Sequence, residues 1–305
     1  MARQIDGKTR LTGLIGWPVS HSLSPAMHNA AAAALGLDLV YLPLAVHPDQ
    51  LAAAVRGLVA LGFLGANVTV PHKEAVLPLL DALDPAAAAI GAVNTIVVSD
   101  QWSVDGDQPS AASLQPSAPL LIGHNTDHSG FLAHLSELGV KVGGRESLIL
   151  GAGGSARAVA YGLATAGSRA HIFARRQEQA QQLVAGLAAH CPPGSLAAHT
   201  WPALQEAGAA FPEAALIVNT TPLGMTPNID RSPWPESAAL PKQAFVYDLV
   251  YNPAETRLMG QARAAGLKTS NGLGMLLRQG AQAFKLWTGL QPDLNVMAQA
   301  LQSDP

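Results

Sequence analysis

The segment LILGAGGSAR, which spans Leu148–Arg157, decides the fold of the second half of this chain. Its apolar residues predict a buried strand, its glycines a tight turn, and the residues that follow, as far as Ala166, a helix. Glycines at such a turn let a pyrophosphate approach the backbone, and the helix N-terminus offers it unpaired N–H groups and a positive dipole end. Ala156 takes the third glycine slot of the dinucleotide fingerprint, which accepts alanine. The segment therefore predicts a nucleotide site, with a plain structural turn as the alternative.

The following strand, Ala170–Ala174, indicates which nucleotide is expected. An NAD site usually carries Asp or Glu about 20 residues beyond the first glycine, where it bonds the ribose hydroxyls. This chain has no acid there and has Arg175 and Arg176 instead. Guanidinium groups suit the 2′-phosphate of NADP(H). We therefore predict NADP(H), and the alternative is a solvated basic start to the next helix.

The composition of the 305-residue chain favours a globular protein that binds small molecules. Apolar residues make up 49% and charged residues 13%, so a large core is available and disorder is not expected. A net charge of −3 without a dense basic patch argues against nucleic acid. The single cysteine, Cys191, excludes an intramolecular disulfide and suits a reducing cytosol. Without a long apolar run or room for a signal peptide, we expect no membrane span and a cytoplasmic location.

Strands and helices alternate along the chain, and its length makes two domains the expected organisation. The predicted strands are Leu11–Ile15, Leu39–Leu44, Gly65–Val70, Val93–Val98, Leu120–Gly123, Ala170–Ala174, Ala215–Asn219 and Ala244–Val250. The predicted helices are Ser24–Gly36, Pro48–Leu61, Gln177–Ala189, Glu255–Ala265, Gly274–Thr288 and Pro292–Ser303. This alternation predicts parallel sheets flanked by helices. We expect Gln101–Pro119 to be a long mobile surface loop between two paired strands, with no chemical role.

Polar residues collect where predicted strands end, which is where open α/β sheets bind ligands. Four such segments are Gly16–Pro25, Asn67–Lys73, Gly91–Thr95 and Gly123–Asp127. Taken singly, Ser24 has a structural explanation as a helix cap and Ser22 as a turn residue. Lys73 has one as a solvated charge at a helix start, and Asp127 as a cap. Together the segments suit a polyhydroxylated carboxylate beside a nicotinamide, and the scattered histidines predict no metal site.

These segments match a known family, shikimate dehydrogenase, which the chain resembles over nearly its whole length. The matching strings are Gly16-x-Pro18-x-x-His21-Ser22-x-Ser24-Pro25-x-x-His28-Asn29, Asn67-Val68-Thr69-Val70-Pro71-His72-Lys73, Gly91-Ala92-Val93-Asn94-Thr95, Asn125-Thr126-Asp127-x-x-Gly130, the glycine segment, Asn219-Thr220-Thr221-Pro222-Leu223-Gly224-Met225, Tyr247-Asp248-Leu249-Val250-Tyr251-Asn252-Pro253 and Gly272-x-Gly274-Met275-Leu276-x-x-Gln279. They occur in the family's order. The resemblance implies reversible, NADPH-dependent reduction of 3-dehydroshikimate to shikimate in the biosynthesis of aromatic amino acids.

The resemblance also implies an α/β fold of two domains with the active site in the cleft between them. Residues 1–127 are expected to form an α/β substrate-binding and catalytic domain. Residues 128–272 are expected to form a Rossmann-like NADP-binding domain. The C-terminal helices, residues 273–305, are expected to return to the first domain.

Individual residues take roles from the same resemblance. Lys73 and Asp127 resemble the catalytic pair. The residues that resemble substrate ligands are Ser22, Ser24, Asn67, Thr69, Asn94, Asp127 and Gln279, with Tyr251 near the substrate. The residues that resemble cofactor ligands are Gly151, Ala152, Gly153, Gly154, Ser155, Ala174, Arg175, Arg176, Thr220 and Gly272. No metal ligand is implied.

Two departures from the family pattern bear on these roles. Ala174-Arg175-Arg176 stands where the family usually has Asn-Arg-Thr. This change removes an amide ligand and adds a second guanidinium, so we expect the preference for phosphate to survive with a different geometry. The insertion Gln101–Pro119 is longer than the family's usual short hairpin.

The identity of the proton acceptor stays open at this point. Oxidation of a secondary alcohol sends a hydride from carbon and a proton from oxygen, so one group must accept the proton. Desolvation lowers the pKa of a lysine, so that more of it is neutral and able to accept a proton near pH 7. A neighbouring carboxylate raises that pKa and has the opposite effect. Either Lys73 carries the proton while Asp127 orients it, or the two act as a coupled unit.

Two other functions also stay open. One is a quinate/shikimate dehydrogenase that uses NAD, which an acid after Phe173 would have favoured. The other is a non-catalytic sensor of shikimate-type ligands, against which the intact Lys73/Asp127 pair and the lack of a DNA-binding segment argue. The expected partner is the small-molecule substrate, shikimate or 3-dehydroshikimate, with no nucleic acid and no membrane. Assembly into a homodimer is neither required nor excluded.

Overall fold

The computed structural model describes residues 5–99 and 119–302. Apart from Pro119, the predicted loop Gln101–Pro119 lies outside these residues. The chain divides into two compact units: unit 1 comprises the residues up to Thr126 together with those from Gln279 onward, and unit 2 comprises Asp127–Arg278. The functional domain boundaries at residues 127 and 273 stay predictions.

The elements follow one another in an alternating order through the described residues. The strands are β1 (Arg10–Gly16), β2 (Leu39–Ala45), β3 (Phe63–Val68), β4 (Ala82–Leu83), β5 (Thr95–Ser99), β6 (Leu120–His124), β7 (Glu146–Leu150), β8 (Arg169–Ala174), β9 (Leu196–Thr200), β10 (Leu216–Asn219), β11 (Phe245–Asp248) and β12 (Thr269–Ser270). The α-helices are α1 (Ser24–Ala34), α2 (Leu51–Ala60), α3 (Pro85–Ile90), α4 (Asp127–Glu137), α5 (Gly154–Thr165), α6 (Gln177–Leu187), α7 (Ala207–Ala210), α8 (Arg257–Ala264), α9 (Leu273–Thr288) and α10 (Leu294–Gln302). Short 3₁₀ turns are Pro48–Gln50, Leu77–Leu79 and Trp201–Glu206.

The sheet of unit 1 has the strand order β2-β1-β3-β5-β6-β4. β1 pairs in parallel with β2 and β3, and β4 pairs in parallel with β6. β5 is antiparallel to both β3 and β6. The prediction of parallel sheets therefore holds for β1, β2 and β3 and for β4 with β6, and it fails at β5. β5 runs opposite to both of its neighbours, with Thr95 facing Asn67 of β3 and His124 of β6.

Both faces of this sheet are covered by apolar side chains. On one face, Ile15, Val68 and Ile96 of the sheet pack with Val55 and Leu58 of α2. The other face carries Leu14 and Tyr41 against Ala283 and Trp287 from α9. The Trp287 indole donates to the Ile96 carbonyl at 2.9 Å. The last part of α9 therefore belongs to the core of unit 1.

The sheet of unit 2 is entirely parallel, in the order β12-β11-β10-β7-β8-β9. This is the doubly wound order in which the strand sequence reverses between β7 and β10. One face packs Ile149 and Val218 against α5 and α6 residues, and the other packs Leu148 and Ile217 against Trp234 and Leu258. Such sheets bind ligands outside the carboxyl ends of the strands at the reversal point. The expected Rossmann-like fold is confirmed.

Three local predictions about unit 1 are wrong. Ser24 does not cap α1 but is its first residue, and the Ser22 hydroxyl accepts the Ser24 N–H at 3.2 Å. Lys73 does not start a helix, because residues 70–76 form turns. The Lys73 carbonyl accepts the Val93 N–H at 2.8 Å and is thereby committed outside a helix. Thr69 lies one residue beyond β3 rather than in a strand.

Through residues 5–99 and 119–302, no helix combines the length and the apolar character that crossing a bilayer demands.

Candidate functional site

The first candidate half-site is the turn between β7 and α5, here called the glycine turn (Gly151–Ser155). Gly151 has φ +117°, a conformation that L side chains rarely adopt. A Cβ at this position would lie 2.5 Å from the Thr220 hydroxyl oxygen. That hydroxyl donates to the Leu150 carbonyl at 2.7 Å. Thr220 therefore ties the carboxyl ends of β10 and β7 together, at the point where the strand order reverses.

The glycine turn ends in a helix N-terminus that no side chain caps. The cap residue of α5 is Gly153, which has no side-chain hydrogen-bond acceptor to offer. The first N–H groups of a helix have no partner within the helix, and the helix dipole is positive there. Because α5 has 12 residues, its dipole is developed. The arrangement suits an anionic group such as a pyrophosphate.

Arg175 and Arg176 follow the neighbouring strand. β8 pairs with β7 in parallel, with Phe173 opposite Leu150, and the Gly151 N–H donates to the Phe173 carbonyl at 2.9 Å. Ala174 is buried at the end of β8, whereas both arginines are exposed. The guanidinium groups thus extend from the same sheet edge as the glycine turn and are accessible to a phosphate.

Asp248, at the end of β11, organises the loops on that edge. Its carboxylate is fully buried and accepts from the Asn219 amide at 2.8 Å, the Val250 N–H at 3.0 Å and the Thr256 hydroxyl at 2.7 Å. Burial raises the pKa of Asp248 to about 6, and the three hydrogen bonds oppose that rise. Asn219 precedes Thr220, so Asp248 holds the segment that closes the glycine turn.

Tyr251 and Gly272 lie next to this group of hydrogen bonds. Tyr251 follows Val250 and is half-buried. The Gly272 N–H donates to the Val250 carbonyl at 3.2 Å. A Cβ on Gly272 would lie 2.1 Å from the Leu249 carbonyl oxygen, so a side chain cannot replace its hydrogen. The predicted cofactor residues of unit 2 therefore share one edge of its sheet.

The second candidate half-site is in unit 1 and centres on Asn67, at the end of β3. Asn67 is buried, and its amide nitrogen donates to the Asn94 carbonyl at 3.1 Å and the Thr95 hydroxyl at 3.0 Å. Its amide oxygen accepts the Tyr41 hydroxyl at 2.8 Å. β3 and β5 are paired with Asn67 opposite Thr95, which explains the contact.

Asn94 extends this set of hydrogen bonds to two further elements. Its amide nitrogen donates to the Thr126 hydroxyl at 2.9 Å and to Gln279 Oε1 at 3.1 Å, and its amide oxygen accepts the Thr126 N–H at 2.8 Å. Asn94, Thr126 and Gln279 are all buried. The structure therefore brings together three predicted substrate ligands, Asn67, Asn94 and Gln279. We call this connected set the polar edge.

The remaining predicted residues of unit 1 lie in the segments that follow β1 and β3. These strands are parallel neighbours, and the Thr69 N–H donates to the Ile15 carbonyl at 2.9 Å. A Cβ on Gly16 would lie 2.3 Å from the Thr69 side chain, so glycine allows the two segments to touch. Ser22 and Ser24 bond each other at the start of α1, and Lys73 is half-buried.

Asp127 directly follows Thr126 and is the first residue of α4, where a carboxylate interacts favourably with the helix dipole. It is buried. Within unit 2, the His134 ring of α4 lies on Gly274 at the start of α9. His134 Nδ1 accepts the hydroxyl of Tyr247, a residue of β11, at 2.6 Å. Burial lowers the pKa of His134 to about 4, which keeps the ring neutral and able to accept. The convergence of Asp127 with Lys73 stays a prediction.

Sequence reasoning assigned no role to four residues that organise these half-sites, namely Tyr41, Thr95, Thr126 and Asp248. Three of them occur in the strings that carry the family resemblance, which was the available signal. Tyr41 lies in β2 and gave no signal beyond a buried strand position. Among the described side chains, no group of three His, Cys, Asp or Glu is arranged to hold a metal ion.

Comparisons with family models and with a curated relative point to the same family. Two family models match: shikimate dehydrogenase substrate binding domain over residues 14–96 and shikimate 5′-dehydrogenase C-terminal domain over residues 272–302. A curated relative, shikimate dehydrogenase (NADP(+)) of Moorella thermoacetica, is 49% identical over 98% of this chain and 95% of its own.

Solved structures with the same fold include two that hold ligands. Shikimate 5-dehydrogenase from Thermus thermophilus, in complex with NADP(H) and shikimate, is 36% identical with a TM-score of 0.78, and the match covers 96% of this chain and 98% of that one. Shikimate 5-dehydrogenase from Listeria monocytogenes, in complex with shikimate and NAD, is 35% identical with a TM-score of 0.83 and 98% coverage of both chains. The two differ in the dinucleotide they hold.

Proposed function

The chain belongs to the shikimate dehydrogenase family, and we propose that it catalyses the reversible, NADPH-dependent reduction of 3-dehydroshikimate to shikimate. The observation that carries this proposal is the polar edge, in which buried Asn67 and buried Gln279 each form a hydrogen bond with Asn94. Such a prearranged set of amides recognises hydroxyl groups without an ordering cost at the moment of binding. The reaction belongs to the biosynthesis of aromatic amino acids, and we propose the cytosol as its location.

The substrate is proposed to bind to unit 1 residues. Asn67, Asn94 and Gln279 offer amides to its hydroxyl groups, and Ser22, Ser24 and Thr69 offer hydroxyls from the segments after β1 and β3. Ser24 is the first residue of α1 and Ser22 lies two residues before it, so both are near a positive helix N-terminus, which favours the substrate carboxylate. We propose that Tyr251 of unit 2 lies near the substrate.

The coenzyme is proposed to bind to unit 2. The glycine turn and the uncapped start of α5 suit its pyrophosphate, and Thr220 and Gly272 hold the loops that border it. Arg175 and Arg176 are proposed to bind the 2′-phosphate, which favours NADPH over NADH. When bound, the nicotinamide supplies the hydride for reduction and accepts it for oxidation.

Lys73 and Asp127 are proposed to manage the proton. In the reductive direction the substrate carbonyl oxygen becomes a hydroxyl, so an ammonium in hydrogen-bond reach must give it a proton. Lys73 supplies that group. Asp127 accepts a hydrogen bond from the substrate or from Lys73 and thereby orients the pair. Lys73 follows β3, which carries Asn67 of the polar edge. Asp127 follows β6 and comes directly after Thr126, which is bonded to Asn94.

One assay tests the enzyme proposal against its alternatives. The protein is mixed with shikimate and NADP⁺, and NADPH formation is followed by absorbance; the same measurement with NAD⁺ and with quinate defines its selectivity. NADPH formation from shikimate supports the proposal. Faster turnover with NAD⁺ would favour the quinate/shikimate alternative. Binding of shikimate without turnover would favour the ligand sensor.

Lys73→Ala tests the proton role. General acid–base groups contribute about a hundredfold to ten-thousandfold in rate, so we expect a loss of that size in kcat with NADP⁺ affinity nearly unchanged. Lys8→Ala, at an exposed lysine of the same unit, is the matched control and retains wild-type kcat. A mild loss of kcat, or a loss of coenzyme binding instead, contradicts the role.

A further inference from the structure

His72 is a buried histidine that directly precedes Lys73, the residue proposed to move the proton. It is 1% exposed, and its Nε2 atom lies 2.8 Å from the main-chain carbonyl oxygen of Val46. Val46 comes directly after β2, so the ring joins two segments that are 26 residues apart in the sequence. The proposed function gives His72 no role.

The direction of this hydrogen bond is fixed by its partner. A main-chain carbonyl oxygen can only accept, so Nε2 of His72 must carry the hydrogen and donate it. An apolar side chain of similar size would fill the same space without bonding to Val46. The residue type at position 72 therefore contributes a specific tie between two segments in addition to its packing.

The segment that carries Lys73, residues 69–76, is fixed to the rest of unit 1 at both ends. At its start, main-chain hydrogen bonds of 2.9 Å and 3.0 Å join it to Ile15 and Trp17 at the end of β1. At its end, Val76 is fully buried in the apolar core of the unit. Lys73 lies between these ends, in turns rather than in a helix or strand. Its position therefore depends on the bonds that residues 72 and 73 make.

Two hydrogen bonds hold these residues from opposite sides. The Lys73 carbonyl accepts the Val93 N–H at 2.8 Å, and Val93 lies shortly before β5. The His72 ring donates to Val46, directly after β2. In the strand order β2-β1-β3-β5-β6-β4, β2 and β5 lie on either side of β3, the strand that the segment follows. With the Val93 bond alone the segment could pivot about that bond, and the His72 bond prevents this.

We propose that His72 is a positioning residue, which fixes Lys73 through the hydrogen bond to Val46 so that the ammonium group reaches the reacting oxygen. This inference rests on the proposed function, in which Lys73 gives a proton to the substrate carbonyl. Proton transfer needs the two heavy atoms within about 3 Å of each other. A displacement of about 1 Å costs about a hundredfold in rate. Because the lysine side chain is flexible, a fixed main chain limits the positions that its ammonium group can take.

Two substitutions of equal length test this role. The Gln amide nitrogen can replace His72 Nε2 as a donor, whereas Met has no donor. We expect His72→Met to lower kcat for shikimate oxidation about tenfold to a hundredfold. KM for shikimate and for NADP⁺ should stay near wild type, because the proton is transferred in the transition state. His72→Gln is expected to keep most of the wild-type kcat. His190→Met, at an exposed histidine of unit 2, is the control and retains wild-type kcat.

A double-mutant cycle separates the positioning of Lys73 from a general effect on the fold. In a Lys73→Ala background the ammonium group is gone, so His72→Met is expected to cause no further loss of kcat. Equal losses of kcat in the two backgrounds overturn the inference. A fall of about tenfold or more in kcat of His72→Gln also overturns it.

The hydrogen bond is also tested in the wild-type protein, which keeps the inference testable if His72→Met does not fold. NMR of ¹⁵N-labelled histidine distinguishes a ring that carries its hydrogen on Nε2 from one that carries it on Nδ1. We expect a hydrogen on Nε2 of His72, and a ring with its hydrogen only on Nδ1 overturns the inference. Failure of the wild type to oxidise shikimate instead refutes the proposed function.

Discussion

Asp248 offers the sharpest test of the hydrogen bonds around the glycine turn. Its carboxylate is fully buried, and burial raises its pKa to about 6 from an ordinary value of 3.8. The folded state therefore binds the Asp248 proton more tightly than the unfolded state does. The contribution of this group to the free energy of unfolding is fully present below about pH 4 and is lost as the pH rises through 6.

The size of the effect follows from the shift in pKa. About two pKa units correspond to about 3 kcal/mol at 25 °C. About 2 kcal/mol of this change in the free energy of unfolding falls between pH 4.5 and 7.5. The rest falls below pH 4.5, because the carboxyl group of the unfolded chain is still mostly ionised at that pH. Asp248→Asn keeps one acceptor oxygen for Asn219 and Val250, and its amide can donate to the Thr256 hydroxyl. It removes the titration while preserving most of the contacts.

The measurement is urea denaturation of the wild type and Asp248→Asn at several pH values, followed by far-UV circular dichroism. We expect the wild type to gain about 2 kcal/mol relative to Asp248→Asn as the pH falls from 7.5 to 4.5. Asp230→Asn, the same chemical change at an exposed loop residue, controls for the general effect of removing a charge. A difference between wild type and Asp248→Asn that does not vary with pH would refute the raised pKa and the reasoning built on it.

Two further predictions concern the coenzyme half-site. Gly151→Ala is expected to lower the free energy of unfolding by about 1–3 kcal/mol, because φ at this residue is +117° and a Cβ would lie 2.5 Å from a threonine hydroxyl oxygen; Gly153→Ala has open space and serves as the control in the same denaturation experiment. Arg175→Ala and Arg176→Ala are expected to raise KM for NADPH about tenfold or more without raising KM for NADH, since only the former carries the 2′-phosphate. Arg169→Ala, at an exposed arginine that begins β8, is the control and should leave both KM values unchanged. A parallel rise in KM for the two coenzymes in the Arg175 or Arg176 variants would contradict phosphate recognition.

The coenzyme half-site was largely predictable because its determinants are local. An apolar run followed by glycines and a helical pattern fixes a strand, a turn and a helix within about ten residues. The structure places β7, the glycine turn and α5 there. The doubly wound strand order then follows from right-handed crossovers between parallel strands. What the sequence alone did not reveal was the Thr220 contact that closes the turn from a strand 70 residues away.

The polar edge was less predictable because its hydrogen bonds join distant segments. Tyr41 and Asn67 are separated by 26 residues, Asn94 and Thr126 by 32, and Asn94 and Gln279 by 185. Tyrosine and threonine are also ordinary strand residues, so neither stands out in a single sequence. Pairing of β3 with β5 places the Thr95 hydroxyl against Asn67, and that antiparallel pairing departs from the parallel sheets that the alternation predicts.

The errors at Ser24 and Lys73 have different physical causes. Both predictions used local helix-start rules, in which a polar residue next to proline caps a helix and a charged residue opens one. In the structure, main-chain groups at these points are already committed elsewhere: the Ser24 N–H to the Ser22 hydroxyl, and the Lys73 carbonyl to the Val93 N–H. At Lys73 a hydrogen bond to a distant segment overrode the local preference, whereas at Ser24 the bond to Ser22 is itself local.

The two half-sites share one physical device, a buried polar side chain that holds several loops at the edge of a sheet. Asp248 does this in unit 2 through Asn219, Val250 and Thr256, and Asn94 does it in unit 1. Burying such groups costs stability even when they are bonded, as the raised pKa of Asp248 records. These hydrogen bonds also orient the groups proposed to face the ligand, which reduces the ordering cost of binding. Substitutions that abolish these hydrogen bonds while preserving shape are therefore expected to weaken binding more than they weaken the fold.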